Sequence, residues 1–412
     1  MKCIIDNDVV LARQLEGPLS AHIGGFARWA REEGYAVLPR HRKVRLAACF
    51  SRWLGKQGVN MRRVSSEHPA RYLRSRARQV KIQQADAATL RQLLGFLRRQ
   101  GVVPAETIPP PRLTPTEQAV HEFERYLRNE RMLAERSVDS YVPFVRKFLA
   151  DRFGDGSVRL SCLCAGDVVR FVRRQAPRLH LKRAKLLTTA LRSFLHYARF
   201  RGEITSDLAA AVPIVANWSR PSIPRAIPAD AVRRLLASVN RRTATSRRDY
   251  AILLLLARLG LRAGEVVRLK LEDIDWNAGS ITVHGKGGRR SVLPLPPDAG
   301  SAIAAYLRHG RPRSSSRCVF LRTLAPFRGF LGSWSIAALV QRNLARAGIQ
   351  APTQGAHQFR HALATEMLQH GASLAEIGDV LRHHGLETTK IYTAVDLDSL
   401  RALALPWSGG VR

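Results

Sequence analysis

Residues 387–395 of the 412-residue chain read ETTKIYTAV, and Tyr392 stands there among small and polar residues with little else to pack against. Such an aromatic is either a piece of core filling a pocket or a hydroxyl held out for chemistry. Four other stretches carry groups that bind charge or move protons. In LGLRAGEVVRLKLEDIDW (259–276), Arg262 follows an apolar helix and a glycine and opens the next helix, where an N-terminus favours an anion. Taken alone, an Arg there is most often a solvated charge. In HGKGG (284–288), Lys286 sits on a turn between glycines, able to reach a phosphate or a leaving oxygen, or merely exposed. The G-x-x-x-x-G-K-[ST] spacing of a nucleotide P-loop is absent. In AHQFRHALAT (356–365), His357 and Arg360 lie three apart and share a helix face. In VLRHHGLETTKIYTAV (380–395), His383 precedes Tyr392 by nine residues. A helix, a turn and a second short helix can fold those two to within hydrogen-bond reach.

These residues need a scaffold, and the sequence supplies one in sections. Two proline-rich seams, VVPAETIPPPRLTPTE (102–117) and VPIVANWSRPSIPRAIPAD (212–230), read as linkers. Between them, 118–205 repeats apolar residues at three- and four-residue spacing with Arg and Lys interleaved, the pattern of a small basic helical domain. Beyond the second seam helices predominate, with SITVHGKGGRRSVLPL (280–295) alternating about a glycine-rich turn as a β-hairpin. Helices are expected at about 298–309, 334–347 and 356–369. Ser373 with Glu376 forms a capping box opening another, and 388–405 is expected to close the chain as one or two short helices. The fold class is mainly α with a small β-sheet in the C-terminal domain, divided as 1–105, 118–212 and 222–412.

Charge narrows the partner. Sixty-seven Lys and Arg against 32 Asp and Glu give a net charge of +35, which a polyanion must neutralise, and the commonest is nucleic acid. A basic membrane-surface protein would carry a distinct anchor segment, whereas here Arg runs through every helix. No apolar run reaches the ~18–20 residues of a membrane span, so no membrane partner and a cytoplasmic location are expected. Cys162 and Cys164 form a lone C-x-C, and in the His357/His361 pair Gln358 stands where a zinc hydrolase needs its Glu. Neither a metal nor a cofactor is expected.

Singly these cues are weak; their joint order is specific. An Arg, a hairpin Lys, His-x-x-Arg, His and then Tyr nine residues later resembles the tyrosine recombinases, or phage integrase family, over roughly residues 115–412. The matching positions are Arg262 in GLRAGE, Lys286 in HGKGG, His357 and Arg360 in HQFRHALAT, His383 in LRHHG and Tyr392 in TTKIYT. One departure stands out. The family usually has Gly between Leu and His, whereas this chain has Arg382, which implies a different helix end or a strained one.

The resemblance implies a site-specific DNA recombinase of a mobile element or phage that breaks and rejoins strands through a 3′-phosphotyrosine on Tyr392. Arg262 and Arg360 suit the negative charge that grows on the non-bridging oxygens, since each guanidinium stays protonated and can bond two oxygens. By resemblance, Lys286 protonates the departing 5′-oxygen, His357 helps move the tyrosine proton, and His383 hydrogen-bonds the scissile phosphate. Glu265 is read as structural support. The partner is then double-stranded DNA, with four like or mixed protomers in the synapse and accessory proteins left open. The 118–212 segment resembles the family's SAM-like core-binding domain, which clamps DNA. Two other readings stay open: a type IB topoisomerase or telomere resolvase with the same tyrosine chemistry, and a catalytically silent DNA-binding derivative.

Residues 1–105 lie outside that shared core, yet three blocks of them echo the helical domain in order. FARWAREEG (26–34) parallels FERYLRNER (123–131), VSSEHPARYLRS (64–75) parallels LSCLCAGDVVRF (160–171), and LRQLLGFLRRQG (90–101) parallels LRSFLHYARFRG (191–202). The offsets of 97, 96 and 101 residues lead to the expectation of a second core-binding-like domain, contacting DNA or a neighbouring protomer.

Overall fold

The fold is that of a computed structural model, and it describes all residues except 1–2, 6–8, 12, 106–112, 155, 216–225, 286–287, 354, 384–388 and 390–412. The chain forms two compact units: Met1–Glu106 with Ile223–Arg412, and Thr107–Ser222. Secondary structure is mainly helical with small antiparallel sheets. No described helix is long and apolar enough to cross a membrane.

The first unit opens with a hairpin of β1 (Cys3–Ile5) and β2 (Val9–Leu11), which the helical expectation for this region did not include. Strand alternation sends Ile5, Val9 and Leu11 into a small core with Ile23, Ala27 and Val44, and leaves Ile4 and Val10 outside. Four helices follow: α1 (Ser20–Glu32), α2 (Val37–Lys56), α3 (Glu67–Ala77) and α4 (Gln84–Arg99), with a 3₁₀ turn at Met61–Arg63. Phe26, Phe50, Leu54, Tyr72, Leu94 and Leu97 pack at their centre.

In the second unit the described residues also form four α-helices: α5 (Pro115–Asn129), α6 (Glu135–Phe153), α7 (Ala165–Gln175) and α8 (Leu181–Phe200). A 3₁₀ turn at Leu160–Cys162 precedes α7, and another at Ala176–Arg178 follows it. The first helix begins earlier than the proline seam suggests. Thr114 caps it by accepting from Glu117 N (3.2 Å), and Pro115 takes the first turn, where a missing N–H costs nothing. Phe123, Phe148, Phe171 and Phe194 form the core.

The C-terminal part of the first unit runs α9 (Ala229–Ser238), α10 (Ala244–Leu259) and α11 (Ala263–Arg268). It continues with β3 (Ile274–Asp275), β4 (Ser280–His284) and β5 (Arg290–Pro294), joined antiparallel in that order. The β4–β5 register pairs Ile281 with Leu293 and His284 with Arg290. The chain then forms α12 (Pro297–His309), α13 (Ser333–Arg346), α14 (His357–Gln369) and α15 (Leu374–Leu381). The run Ala251–Leu256 in α10 is apolar on every side because α9, α11, α12 and α14 pack around it. Glu33 ties the two parts of this unit: its carbonyl accepts from Phe327 N (3.1 Å) and its carboxylate from Arg328 (3.0 Å).

Candidate active site

Arg262 is placed by the end of one helix and the start of the next. Helix α10 stops on Gly260, whose φ of 54° lies in the left-handed region. Glycine is favoured there by packing as well, since a Cβ would lie 2.9 Å from Leu381 Cδ2 and 3.1 Å from Leu363 Cδ2. Arg262 then caps α11. Its backbone N–H donates to Glu265 Oε2 (2.9 Å), and its guanidinium donates to Glu265 Oε1 (2.9 Å). Glu265 is 1% exposed and Arg262 36%, so a buried carboxylate steers a guanidinium that still reaches solvent.

Arg360, on the first turn of α14, is 1% exposed. It donates to the carbonyl of Gly260 (2.8 Å) and to that of Leu381. Both carbonyls belong to helix C-termini, where a cation also meets the negative end of the helix dipole. One buried guanidinium thereby joins the ends of α10 and α15.

Helix α15 opens on Ser373, whose hydroxyl accepts from Glu376 N (3.2 Å) while the Glu376 carboxylate accepts from Ser373 N (2.7 Å). It ends on Arg382 with φ 55° and ψ 50°. Arg382 N donates to Asp379 O and His383 N to Gly378 O, the paired bonds of a Schellman motif. The helix end therefore keeps the left-handed form a glycine would give, and His383 is fixed by its own backbone bond. The Arg382 side chain, 10% exposed, turns back to donate to Glu265 Oε2 (3.1 Å). Glu265 thus holds two guanidiniums.

The imidazoles complete the cluster. His357 starts α14 as an exposed residue, yet desolvation of its ring and then the guanidiniums of Arg360 and Arg262 hold its pKa below the ordinary value. His361 packs edge-on against His357, ring centroids 4.5 Å apart, and burial pushes its pKa down to about 4. Burial, followed by Arg360, Arg262, His357 and Arg382, takes His383 down to about 4 as well. Its Nδ1 lies 2.8 Å from the hydroxyl of the buried Thr389. All three rings are neutral at neutral pH.

The site thus brings Arg262, His357, Arg360 and His383 together. Lys286 and Tyr392 lie outside the described residues. The strands flanking Lys286 are held by His284 Nε2 against Asp273 Oδ1 (2.8 Å), and Arg268 donates to His284 O (2.7 Å). Glu265 holds Arg262, as support for it would require. Sequence reasoning did not foresee Thr389 as the partner of His383 or Arg382 as the second partner of Glu265. The first had a signal, a hydroxyl three residues before Tyr392 in sequence; the second had none, because it joins residues 117 positions apart. Among the described residues no group of three His, Cys, Asp or Glu is arranged to hold a metal.

Guanidiniums fixed at helix ends beside imidazoles, an arrangement able to bind the charge of a phosphate, are carried here on a mainly helical scaffold. A sequence model of the phage integrase family matches residues 225–398. The chain is 53% identical over 409 residues, 99% of each chain, to y4rA of Sinorhizobium fredii, named as a candidate integrase/recombinase. It is 32% identical to tyrosine recombinase XerC of Azotobacter vinelandii over 286 residues, 68% of this chain and 92% of that one. In fold it matches the crystal structure of the XerH site-specific recombinase bound to its palindromic difH substrate, with TM-score 0.57 and 19% identity over 73% of this chain and 99% of that one. The chain belongs to the phage integrase family of tyrosine recombinases and is a DNA breaking-and-rejoining enzyme.

Proposed function

We propose that the protein is a site-specific recombinase of a mobile element that exchanges strands of duplex DNA through a 3′-phosphotyrosine on Tyr392. The observation that carries this reading is the junction of α10, α14 and α15. There Arg262 and Arg360 are held by protein groups next to His357 and His383. Residues 222–412 act as the catalytic domain and 118–212 as the helical domain that holds DNA. Four protomers assemble on two duplexes in the bacterial cytoplasm.

The Tyr392 oxygen attacks phosphorus, forming the P–O(Tyr) bond as the bond to the 5′-oxygen breaks. The tyrosine proton passes to His357, whose lowered pKa leaves it neutral and able to accept. Lys286 protonates the leaving 5′-oxygen. The charge that develops on the non-bridging oxygens is met by Arg262 and Arg360, already in position before the reaction. When His383 Nδ1 accepts the Thr389 hydroxyl, the single proton of the neutral ring resides on Nε2, which donates to the scissile phosphate. An incoming 5′-hydroxyl reverses the sequence on the partner strand.

Nicked duplexes built from the DNA bordering the gene test this reading. Wild type is expected to leave a covalent protein–DNA adduct on a denaturing gel, with or without EDTA. Tyr392→Phe should bind the same DNA and leave none. Adduct formation by the variant would refute Tyr392 as the nucleophile, and absence of adduct from wild type would favour the silent DNA-binding reading.

A further inference from the structure

We propose that the N-terminal helices α1–α4 are a second copy of the α5–α8 module, and that the 3₁₀ turn and α3 of this copy form a face for the phosphate backbone of duplex DNA. The copy is argued from its interior. Phe26 and Trp29 of α1 gather on Phe96 of α4, with centroids 5.9 and 6.1 Å from it. Ninety-seven residues on, Phe123 and Tyr126 of α5 gather on Tyr197 of α8, at 5.4 and 4.8 Å. Phe50 of α2 meets Tyr72 of α3 at 5.3 Å, and Phe148 of α6 meets Phe171 of α7 at 5.2 Å. The 3₁₀ turns before α3 and α7 each end on a buried apolar residue, Val64 and Leu163. The last helices end alike: Gly101 N bonds to Arg98 O and Val102 N to Leu97 O, while Gly202 N bonds to Arg199 O and Glu203 N to Ala198 O. Gly101 and Gly202 both take positive φ, 68° and 74°.

Equivalent residues are offset by 97 at α1, 98 at α2, 99 at α3 and 101 at α4, so length differences fall only in the connections. The middle block aligned by sequence at an offset of 96 is therefore displaced by three residues. Chance resemblance of helical patterns does not explain aromatic contacts, a 3₁₀ turn and a helix end repeated in the same order.

One charge difference between the copies points to the ligand. In the second copy Asp167 accepts from Cys164 N (3.2 Å) and also pairs with Arg152 and Arg170. Its equivalent in the first copy is His68, whose Nδ1 accepts from Ser65 N (3.0 Å) in the same capping role. Arg71, the equivalent of Arg170, therefore lacks the carboxylate that Asp167 supplies, and among the described residues it forms no ion pair with Glu67 one turn earlier. Arg71, Arg74 and Arg78 line one side of α3 and its end, with Arg62, Arg63 and Lys81 at either flank, all exposed. Among the described residues no ion pair engages Arg71, Arg74 or Arg78. Residues 1–105 hold 20 Lys and Arg against 7 Asp and Glu, and one of these acids, Glu67, opens the same side of α3 one turn before Arg71. A regular row of exposed cations, with a single acid at its start and no ion pair along it, fits a phosphate backbone in a DNA-processing enzyme rather than an acidic protein surface.

The role rests on the recombinase reading above, so the test separates the two. Full-length wild type and the R71E/R74E/R78E variant are titrated with random-sequence duplexes across a range of salt, with thermal melting to check folding. The variant is expected to occlude fewer base pairs per protomer and to bind at least about tenfold more weakly at low salt. Its log–log salt slope should be shallower by about 3, one unit for each lost phosphate contact. If the reversal variant misfolds, R71Q/R74Q/R78Q should give the same shallower slope. Adduct formation on the nicked duplex should survive in both variants. Its absence from wild type would count against the recombinase reading alone. An unchanged site size and slope would overturn the DNA face, as would intact DNA binding with lost protomer assembly, which would assign the face to a protein partner.

Discussion

Two helix ends deliver the active site, and they solve the same backbone problem with opposite residues. Helix α10 ends at φ 54° on Gly260, and α15 ends at φ 55° on Arg382. At the first end a Cβ would press on the side-chain ends of Leu381 and Leu363, so glycine is favoured by packing as well as by dihedral angle. At the second the side chain has a path back to Glu265, and a left-handed cost of about 1–2 kcal/mol is offset by a nearly buried ion pair. The two ends are then tied twice. Arg360 donates to a carbonyl of each, and Glu265 accepts from Arg262 beyond the first and Arg382 at the second. A left-handed cap is thus also a place to mount a charge, provided that a buried partner waits for it.

Removing the shared guanidinium should do the most damage. Arg360→Ala uncouples both helix ends and removes one of the two groups that meet the transition-state charge. Adduct formation should fall by about 10²–10³. Urea unfolding should show a loss on the order of 3 kcal/mol as the buried site loses its central cation. Adduct formed at a rate within tenfold of wild type would show that Arg360 holds the helices and does no more.

Gly260→Ala tests the first end alone. The strain of a non-glycine residue in the left-handed region, about 1–2 kcal/mol, adds to about 1–3 kcal/mol of overpacking against Leu381. Since Leu381 leads directly into Arg382 and His383, cleavage should drop while DNA binding at low salt stays near wild type. A variant with unchanged melting temperature would mean that the close approach at Gly260 is not required.

The contrast also marks how far the sequence could be read. The segment GLRAGE announces a glycine helix end, a cap and an acidic third residue, so Arg262 and Glu265 were legible as a local unit. Ser373 and Glu376 were legible for the same reason, and the β-hairpin at 280–294 followed from alternation. Contacts that cross the chain were not legible. Nothing near Arg382 in sequence says that Glu265 will receive it, and the unusual residue could be read only as strain. The hairpin at 3–11 had a faint signal in Asp6, Asn7 and Asp8 between two apolar triplets, too short for a confident period. The repeat proposed for the N-terminal helices was suggested by three blocks, and on that proposal the middle block is out of register. Arg-rich helical faces look alike, whereas the buried aromatic pairs that set the register are separated by whole helices.

Arg382→Gly tests the second end and should have the smallest effect on stability. It relieves about 1–2 kcal/mol of left-handed strain and removes an ion pair with a buried carboxylate, so the two changes oppose each other. Melting temperature at neutral pH should therefore move little. The informative readout is pH. His361 and His383 titrate near 6.5 when unfolded but only at about 4 when folded. The unfolded chain binds more protons between those values, so stability is full above about pH 6.5 and is lost as pH falls toward 4. Arg382 is one of the cations that depress His383. With glycine in its place the protonated ring is slightly less disfavoured, and the His383 pKa should rise a little, burial and the other cations still holding it down. The acid limb of adduct formation should then shift to higher pH, while the Thr389→Val variant, which loses the hydroxyl at Nδ1, should lower the plateau instead. An unshifted acid limb in Arg382→Gly would mean that Arg382 serves Glu265 alone and does not act on His383.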